Sequence, residues 1–197
     1  MPAPLPEIRT ARLHVRLARP GMQAAMASFL RDNFEGHLDR WAPPTAPAFF
    51  TESFWQERLG IAVEEFDVGR SARFVLQQGP QGGPILGTCN YTNIVRGPFL
   101  ACYLGYQVAR GQEGQGLMAE ALRATNTFMF DALHLHRIMA NHRPENARSA
   151  RLLERLGFVK EGLARDYLFI DGAWRDHVLM SLTNPNFDAG WIEPAGR

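Results

Sequence analysis

The stretch Val108-Ala-Arg-Gly-Gln-Glu-Gly-Gln-Gly-Leu-Met118 joins two segments of different periodicity, and its reading decides the fold. Before it, Ala101 to Val108 (ACYLGYQV) is a short, mostly apolar run with the pattern of a strand. After it, Leu117, Ala121, Leu122, Thr125, Phe128, Met129 and Leu133 recur at helical spacing, which predicts a helix over residues 114–133. Three glycines between a strand and a helix have two readings. A helix N-terminus offers unpaired N–H groups and the positive end of a dipole, and glycines let a diphosphate approach the backbone. The same residues also suit a plain strand-to-helix turn, and on glycines alone the two readings stand level.

The residues around the loop narrow the choice of ligand. A nucleoside-triphosphate loop needs Lys-Ser/Thr after its last glycine; Gly111 and Gly116 have the spacing, but Leu117-Met118 follow. A dinucleotide fold needs G-x-G-x-x-G/A, which Gly114, Gly116 and Ala119 satisfy, and then an acid on the next strand for the ribose. The segment from His134 to His142 has no acid. Coenzyme A remains, with a pyrophosphate for the loop, a 3′-phosphate for nearby arginines and pantetheine amides for a sheet edge.

Working outward, residues 12–17 alternate polar and apolar and predict a strand. Pro20 and Gly21 introduce a helix with Met22, Met26, Phe29 and Leu30 on one face. The link WAPPTAPAFF (41–50) leads to a second helix over 51–66. Strands follow at 72–77 and 85–94, separated by the turn-rich QGPQGGP (78–84). Beyond the loop and its helix, 137–141 reads as a strand. Residues 146–156 read as a helix capped by Asn146 and stopped by Gly157, and 158–170 with 174–182 as a hairpin turned at Asp171-Gly172. Residues 184–197, rich in Pro and Gly, read as a loosely attached tail. No repeat or linker breaks this order, so one domain is expected over 1–197: mixed α/β (α+β) around one central sheet.

Composition closes several doors. The chain is 46% hydrophobic and 21% charged, as a globular protein is, and no apolar run is long enough to span a bilayer. MPAPLPEIRT (1–10) lacks the regions of a signal peptide, so a cytoplasmic location is expected. A net charge of +1 gives no global pull toward nucleic acid, although residues 137–160 carry Arg137, Arg143, Arg148, Arg151, Arg155 and Lys160 against Glu145 and Glu154. That surplus suits a polyanion or a solvated helix face. Lys160 is the sole lysine, in no catalytic-looking context. Cys89 and Cys102 read as buried thiols. His134, His136 and His142 lack the i, i+4 helix spacing of a zinc site, so no metal is expected, and there is no G-x-S-x-G elbow for a serine triad.

Several segments in one order, TARLHVRL (10–17), NIVRG (93–97), ACYLGY (101–106), GQGLMAEAL (114–122), HLHRIMANHRPENARSARLLERLGF (134–158) and IDGAWRDHV (170–178), resemble the GNAT N-acetyltransferases. Within that family they are most similar to the group acting on ribosomal-protein N-termini (the RimJ/RimL group), over nearly the whole chain. The resemblance implies a mostly antiparallel twisted sheet flanked by helices, acetyl-CoA as cosubstrate and direct attack of an amine on the thioester. It implies that the pantetheine arm lies along Gly105 to Val108, with cofactor contacts from Tyr106, Gln107 and Val108 on that strand, from Gln112, Glu113, Gly114, Gln115, Gly116, Leu117 and Met118 in the loop, and from Asn141, Asn146 and Ser149. The family pattern Gln/Arg-x-x-Gly-x-Gly/Ala is met at Gly114 and Gly116, but its leading position holds Gly111, with Arg110 one residue earlier.

For catalysis, Ser149 is the candidate proton donor, with a second cap residue as the plain alternative. Tyr103 and Asp166, with Tyr167 and Asp176, are candidate bases on strands expected to line the acceptor cleft, and each also suits a structural role. No sharply placed Glu/His pair is visible, which fits an α-amine acceptor, since that amine titrates near ~8 and lysine near ~10.4. Trp41, before a Pro-rich loop, suits a binding lid. The expected function is acetyl transfer to a protein N-terminus beginning with Ala or Ser, on a ribosomal protein. The alternatives are a small-amine (polyamine or antibiotic) acetyltransferase and a ribosome-assembly factor that keeps the fold. No direct nucleic-acid or membrane contact is expected.

Overall fold

The computed structural model describes residues 4–79 and 83–192, so the middle of the QGPQGGP turn and the extreme ends of the chain lie outside the described residues. The elements are β1 (Glu7–Arg9), β2 (His14–Leu17), α1 (Gln23–Asn33), α2 (Glu52–Asp67), β3 (Ala72–Gln77), β4 (Ile85–Val95), β5 (Ala101–Val108), α3 (Leu117–Asp131), β6 (Arg137–His142), α4 (Ala147–Arg155), β7 (Val159–Ile170) and β8 (Ala173–Thr183). They build one sheet in the order β1-β2-β3-β4-β5-β6-β8-β7. Every neighbouring pair is antiparallel except β5 and β6. The mixed α/β class and mostly antiparallel sheet match the sequence expectation. β1 was not expected: three residues are too short a run for alternation to carry a signal, and the strand exists through its register with β2, Glu7 facing Arg16 and Arg9 facing His14.

The sheet lies between two helical layers. Side chains alternate across each strand, so on β3 Phe74 and Leu76 join the core under α3 while Val75 joins the core under α1 and α2. The first core holds Leu104, Leu122, Met129 and Ile138, and the second Met26, Phe29, Leu30 and Leu59. Each fully buried side chain of this size contributes about 1.5–3 kcal/mol. One polar pin crosses the first core: the Tyr91 hydroxyl donates to Asn126 Oδ1 (2.6 Å) and bonds Thr125 Oγ1 (2.7 Å), fixing α3 on β4. Burial pushes the pKa of this phenol upward.

α3 begins at Leu117, three residues later than its periodicity suggests, because Gly111, Gly114 and Gly116 take φ of +80°, +75° and +77°. That left-handed backbone cannot continue a helix. The β1–β2 hairpin grips the first turn of α3. Thr10 Oγ1 donates to Glu120 Oε1 at 2.6 Å, and Arg12 donates from its backbone N–H to Oε1 (2.8 Å) and from Nε to Oε2 (2.7 Å). Desolvation pushes Glu120 up, but these donors outweigh it and hold its carboxyl below the usual value.

The tail is anchored as far as it is described. Asn184 N–H donates to His136 O at 2.8 Å, Phe187 packs edge-on against His136, and Trp191 lies 4.4 Å from the His134 ring. His134 and His136 are therefore ring partners of the tail. No group of three or more potential metal ligands occurs among the described residues.

Candidate active site

The decisive feature is where β5 and β6 part. They pair from Ala101↔Arg137 to Leu104↔Ala140 and no further, although β5 runs on to Val108 and β6 to His142. On its other side β5 stays in register with β4 through Val108, which faces Gly87. Ala109 N–H donates to Leu86 O (2.8 Å), which makes Gly87↔Val108 a non-hydrogen-bonded pair. By alternation Tyr106 and Val108 turn their N–H and C=O groups away from β4, into the opening. Among the described residues no strand takes them, and an extended amide-bearing ligand could pair with the Tyr106 N–H and C=O and the Val108 N–H.

The glycine loop lies at the end of this opening. Gln112 N–H closes onto Ala109 O (3.0 Å), but the backbone N–H groups from Glu113 to Ala119 have no acceptor among the described residues. The left-handed glycines and the dipole of α3 make this run of donors an anion cradle. Its side chains are occupied elsewhere. Gln115 Nε2 bonds Gly111 O, Glu113 pairs with Arg148 of α4, and Met118 is buried against Cys89. The residues present thus fit a diphosphate through their backbone. Arg110 does not replace the missing arginine of the loop pattern: its N–H bonds Asn33 Oδ1 and its guanidinium Glu35 O, both at 2.6 Å.

Across the opening, Asn146 caps α4 by accepting from Ser149 N–H at 3.1 Å, which leaves its amide NH2 group to donate to a ligand. The Ser149 hydroxyl lies 2.6 Å from that of Tyr106. Burial pushes Tyr106 up to about 12, more than the serine hydrogen bond pulls it down. Tyr106 is therefore a neutral phenol at physiological pH and, with Ser149, a chain of two hydroxyls able to pass a proton.

An Acetyltransferase (GNAT) domain model matches residues 12–159. The chain belongs to the GNAT acetyltransferase family. It is 45% identical over 188 residues, 94% of its length and 96% of the relative's, to the ribosomal protein uS5-alanine N-acetyltransferase of Escherichia coli. A crystal structure of a ribosomal-protein-S5-alanine acetyltransferase from Vibrio fischeri superposes with a TM-score of 0.89 at 38% identity, covering 93% of this chain and 99% of the other. Mycobacterium smegmatis RimJ in complex with CoA-disulfide superposes with a TM-score of 0.80 at 32% identity, covering 91% and 86%.

On the opposite face of this GNAT sheet the remaining sequence candidates separate. Tyr103, three residues before Tyr106, points to the α1/α2 side and is 38% exposed. It neighbours Tyr167, whose pKa is raised by burial and then by Tyr103. Asn141 shares this face, one step past the last β5–β6 pair. Gln107 shares it too, lining a cavity of about 270 Å³ between the sheet and α1/α2. Asp166 stands at a bulge of β7, exposed, with φ +46°; its N–H bonds Asp176 Oδ1 (2.9 Å), and its carboxylate makes no hydrogen bond among the described residues. Tyr103, Asp166 and Ser149 therefore do not form one cluster: Ser149 meets Tyr106 on the α3/α4 face.

Three residues on the α1/α2 face carry no sequence signal. His37 Nε2 donates to Val108 O (3.0 Å), clamping the α1–α2 linker to the free end of β5. Arg143, just past β6, clamps the same linker from the other side: it donates to Arg40 O (3.0 Å), pairs with Glu145 and lies over the Trp41 ring at 5.6 Å. Its buried Nε has no acceptor among the described residues. His177, buried beside Tyr167, donates from Nδ1 to Arg175 O (3.0 Å). Burial lowers its pKa, leaving it neutral at physiological pH. A single histidine or arginine has no motif, and only the tertiary fold brings these to the opening.

Proposed function

We propose that this protein transfers the acetyl group of acetyl-CoA to the α-amine of a polypeptide, the N-terminus of a ribosomal protein beginning with Ala or Ser, in the cytoplasm. The observation that carries the cofactor half is the set of backbone donors with no acceptor among the described residues, those of Tyr106 and Val108 in the opening and those from Glu113 to Ala119 in the loop. The acceptor half is supported by 45% identity, along nearly the whole of both chains, to a relative named for acetylating alanine on uS5.

The chain's own residues divide the chemistry. The loop amides and the α3 dipole hold the diphosphate. The Tyr106 and Val108 amides take the pantetheine and stand next to the thioester carbonyl, where an N–H stabilises developing negative charge. As the amine nitrogen bonds the carbonyl carbon and the C–S bond breaks, Ser149 gives its proton to the departing sulfur and takes one from Tyr106, which recovers a proton from solvent. The amine's surplus proton leaves to water. An α-amine is substantially neutral near pH ~8, so a strong base is not required. The cavity beside Gln107 disfavours polycations: Arg58 and Arg73 line it, and Glu65 pairs with both, which leaves a positive balance.

The test is CoA release with peptides beginning in Ala or Ser, beside N-blocked peptides and spermidine. Turnover confined to free N-termini is expected. Turnover of spermidine alone would overturn the acceptor class, and measurable acetyl-CoA binding without turnover of any of them would favour an assembly role.

A further inference from the structure

Two neighbouring strands each carry a glycine, and the two differ in what a side chain would meet. On β4, a Cβ at Gly87 would lie 2.5 Å from Gln107 O and 3.4 Å from Val108 Cα, so packing alone explains that glycine. On β5, a Cβ at Gly105 would meet nothing within 4 Å, and its φ is not left-handed. A glycine inside a strand costs about 0.5–1 kcal/mol relative to alanine. It marks a bulge, a bend or the close approach of another group. There is no bulge here: β5 pairs with β4 in unbroken register from Thr92↔Tyr103 through Asn90↔Gly105 to Gly87↔Val108. Among the described residues nothing packs where its side chain would stand, which leaves room there for an occupant.

The position says what kind. Gly105 is the first residue of β5 beyond the last β6 pair, at the apex of the opening where the Tyr106 amide turns inward. Its missing side chain faces the α1/α2 layer, between Tyr103 and Gln107 along the strand, opposite Asn90 on β4, with Asn141 across the gap. Residues two apart on a strand are about 6.8 Å apart. Once the thickness of the Tyr103 and Gln107 side chains is taken away, the gap is about one carbon wide. All four surrounding side chains are uncharged.

We propose that Gly105 is the specificity-determining residue of the acceptor site, its empty volume receiving the side chain of the acceptor's first residue. The slot takes a hydrogen, a methyl or a hydroxymethyl, the last able to bond Asn90 or Gln107, and refuses anything branched or charged. This rests on the α-amine reading above and adds the residue that enforces it.

The experiment compares kcat/KM of wild type, Gly105→Ala and Gly105→Val on peptides beginning in Gly, Ala and Ser, with acetyl-CoA affinity by calorimetry and the unfolding midpoint as controls. A methyl group's worth of space is worth about 10–200-fold. Gly105→Ala is expected to lower kcat/KM for Ala and Ser peptides by about tenfold or more while leaving Gly peptides within about twofold, so that the preference inverts. Gly105→Val is expected to stop all three. In both, acetyl-CoA affinity stays unchanged and the unfolding midpoint does not fall. An unmoved Gly:Ala preference in Gly105→Ala, or loss of acetyl-CoA binding, would overturn the slot while leaving the α-amine reading intact. A wild type inactive on every peptide but active on spermidine would remove the α-amine reading and the slot together.

Discussion

The opening between β5 and β6 is built from backbone on one face of the sheet and from side chains on the other. Toward α3 and α4, free amides of Glu113–Ala119, Tyr106 and Val108 supply the donors, and most of the side chains in the loop are turned to other duties. Toward α1 and α2, the opening is roofed by a linker that His37 and Arg143 hold down at its two rims. A surface made of backbone is sensitive to conformation and indifferent to most side chains. One made of side chains on a linker is tuned residue by residue. Substitutions are therefore expected to sort by face.

The largest effect is expected at Gly116. A β-branched residue at φ +77° is strained by about 1–3 kcal/mol and obstructs the cradle. Gly116→Val should weaken acetyl-CoA binding by about a hundredfold or more in calorimetry with the circular dichroism spectrum retained, whereas Gln112→Ala should change affinity by no more than about twofold. Equal losses from the two would break the contrast, because a side chain would then be holding the cofactor.

Next comes the hydroxyl pair. General-acid groups contribute about 10²–10⁴-fold. Tyr106→Phe and Ser149→Ala should each lower kcat by about a hundredfold while acetyl-CoA affinity stays within about twofold, and the double variant should lose little more than either one. Independent, multiplying losses would mean that the two hydroxyls do not act as one chain.

The backbone-built face was the legible one. Strand, glycines and helix declare the cradle because left-handed turns require glycine, and Asn146 declares the cap of α4 because a helix start needs a side-chain acceptor. The resemblance to GNAT enzymes then supplied Ser149. Its partner Tyr106 lies on the strand the resemblance assigns to the cofactor, but the contact between the two hydroxyls spans 43 residues of sequence and has no local signature. On the other face Tyr103 and Tyr167 stand out in the sequence but their proximity does not, His37 and His177 have no motif, and Arg143 shows only as one member of a basic run. Arg110 looked like a displaced loop arginine, yet it holds the end of α1, a role that only the packing of α1 against the strand end defines.

A smaller effect is expected on the acceptor side alone. Arg143 holds Arg40 O and Trp41 in place and keeps one buried N–H without an acceptor, an arrangement costing about 1–3 kcal/mol unless something takes it. Arg143→Gln should raise KM for an Ala-starting peptide about tenfold and leave acetyl-CoA affinity unchanged. A matching fall in acetyl-CoA affinity would show that the linker serves both faces, and the division between them would fail.

The smallest effect is a pH slope, and its sign follows from His177. Burial lowers the folded-state pKa of this ring below the ordinary 6.5, with Arg143 and His142 pulling the same way and the Arg175 carbonyl and Glu145 opposing. Above pH 6.5 the ring is neutral in both folded and unfolded chains and its contribution is constant. As pH falls below that value the unfolded chain takes up the proton first, so stability is lost until the folded pKa is reached. The unfolding midpoint of the wild type should therefore drop between pH 6.5 and 5 more steeply than that of His177→Gln, and peptide turnover should decline over the same interval without loss of acetyl-CoA binding. Carboxylates add an acid slope of their own, but they add it to both proteins, so the difference between the two curves isolates the histidine. Parallel curves would mean that the protonation of His177 contributes nothing to stability over this interval, and that its lowered pKa is not the source of the slope.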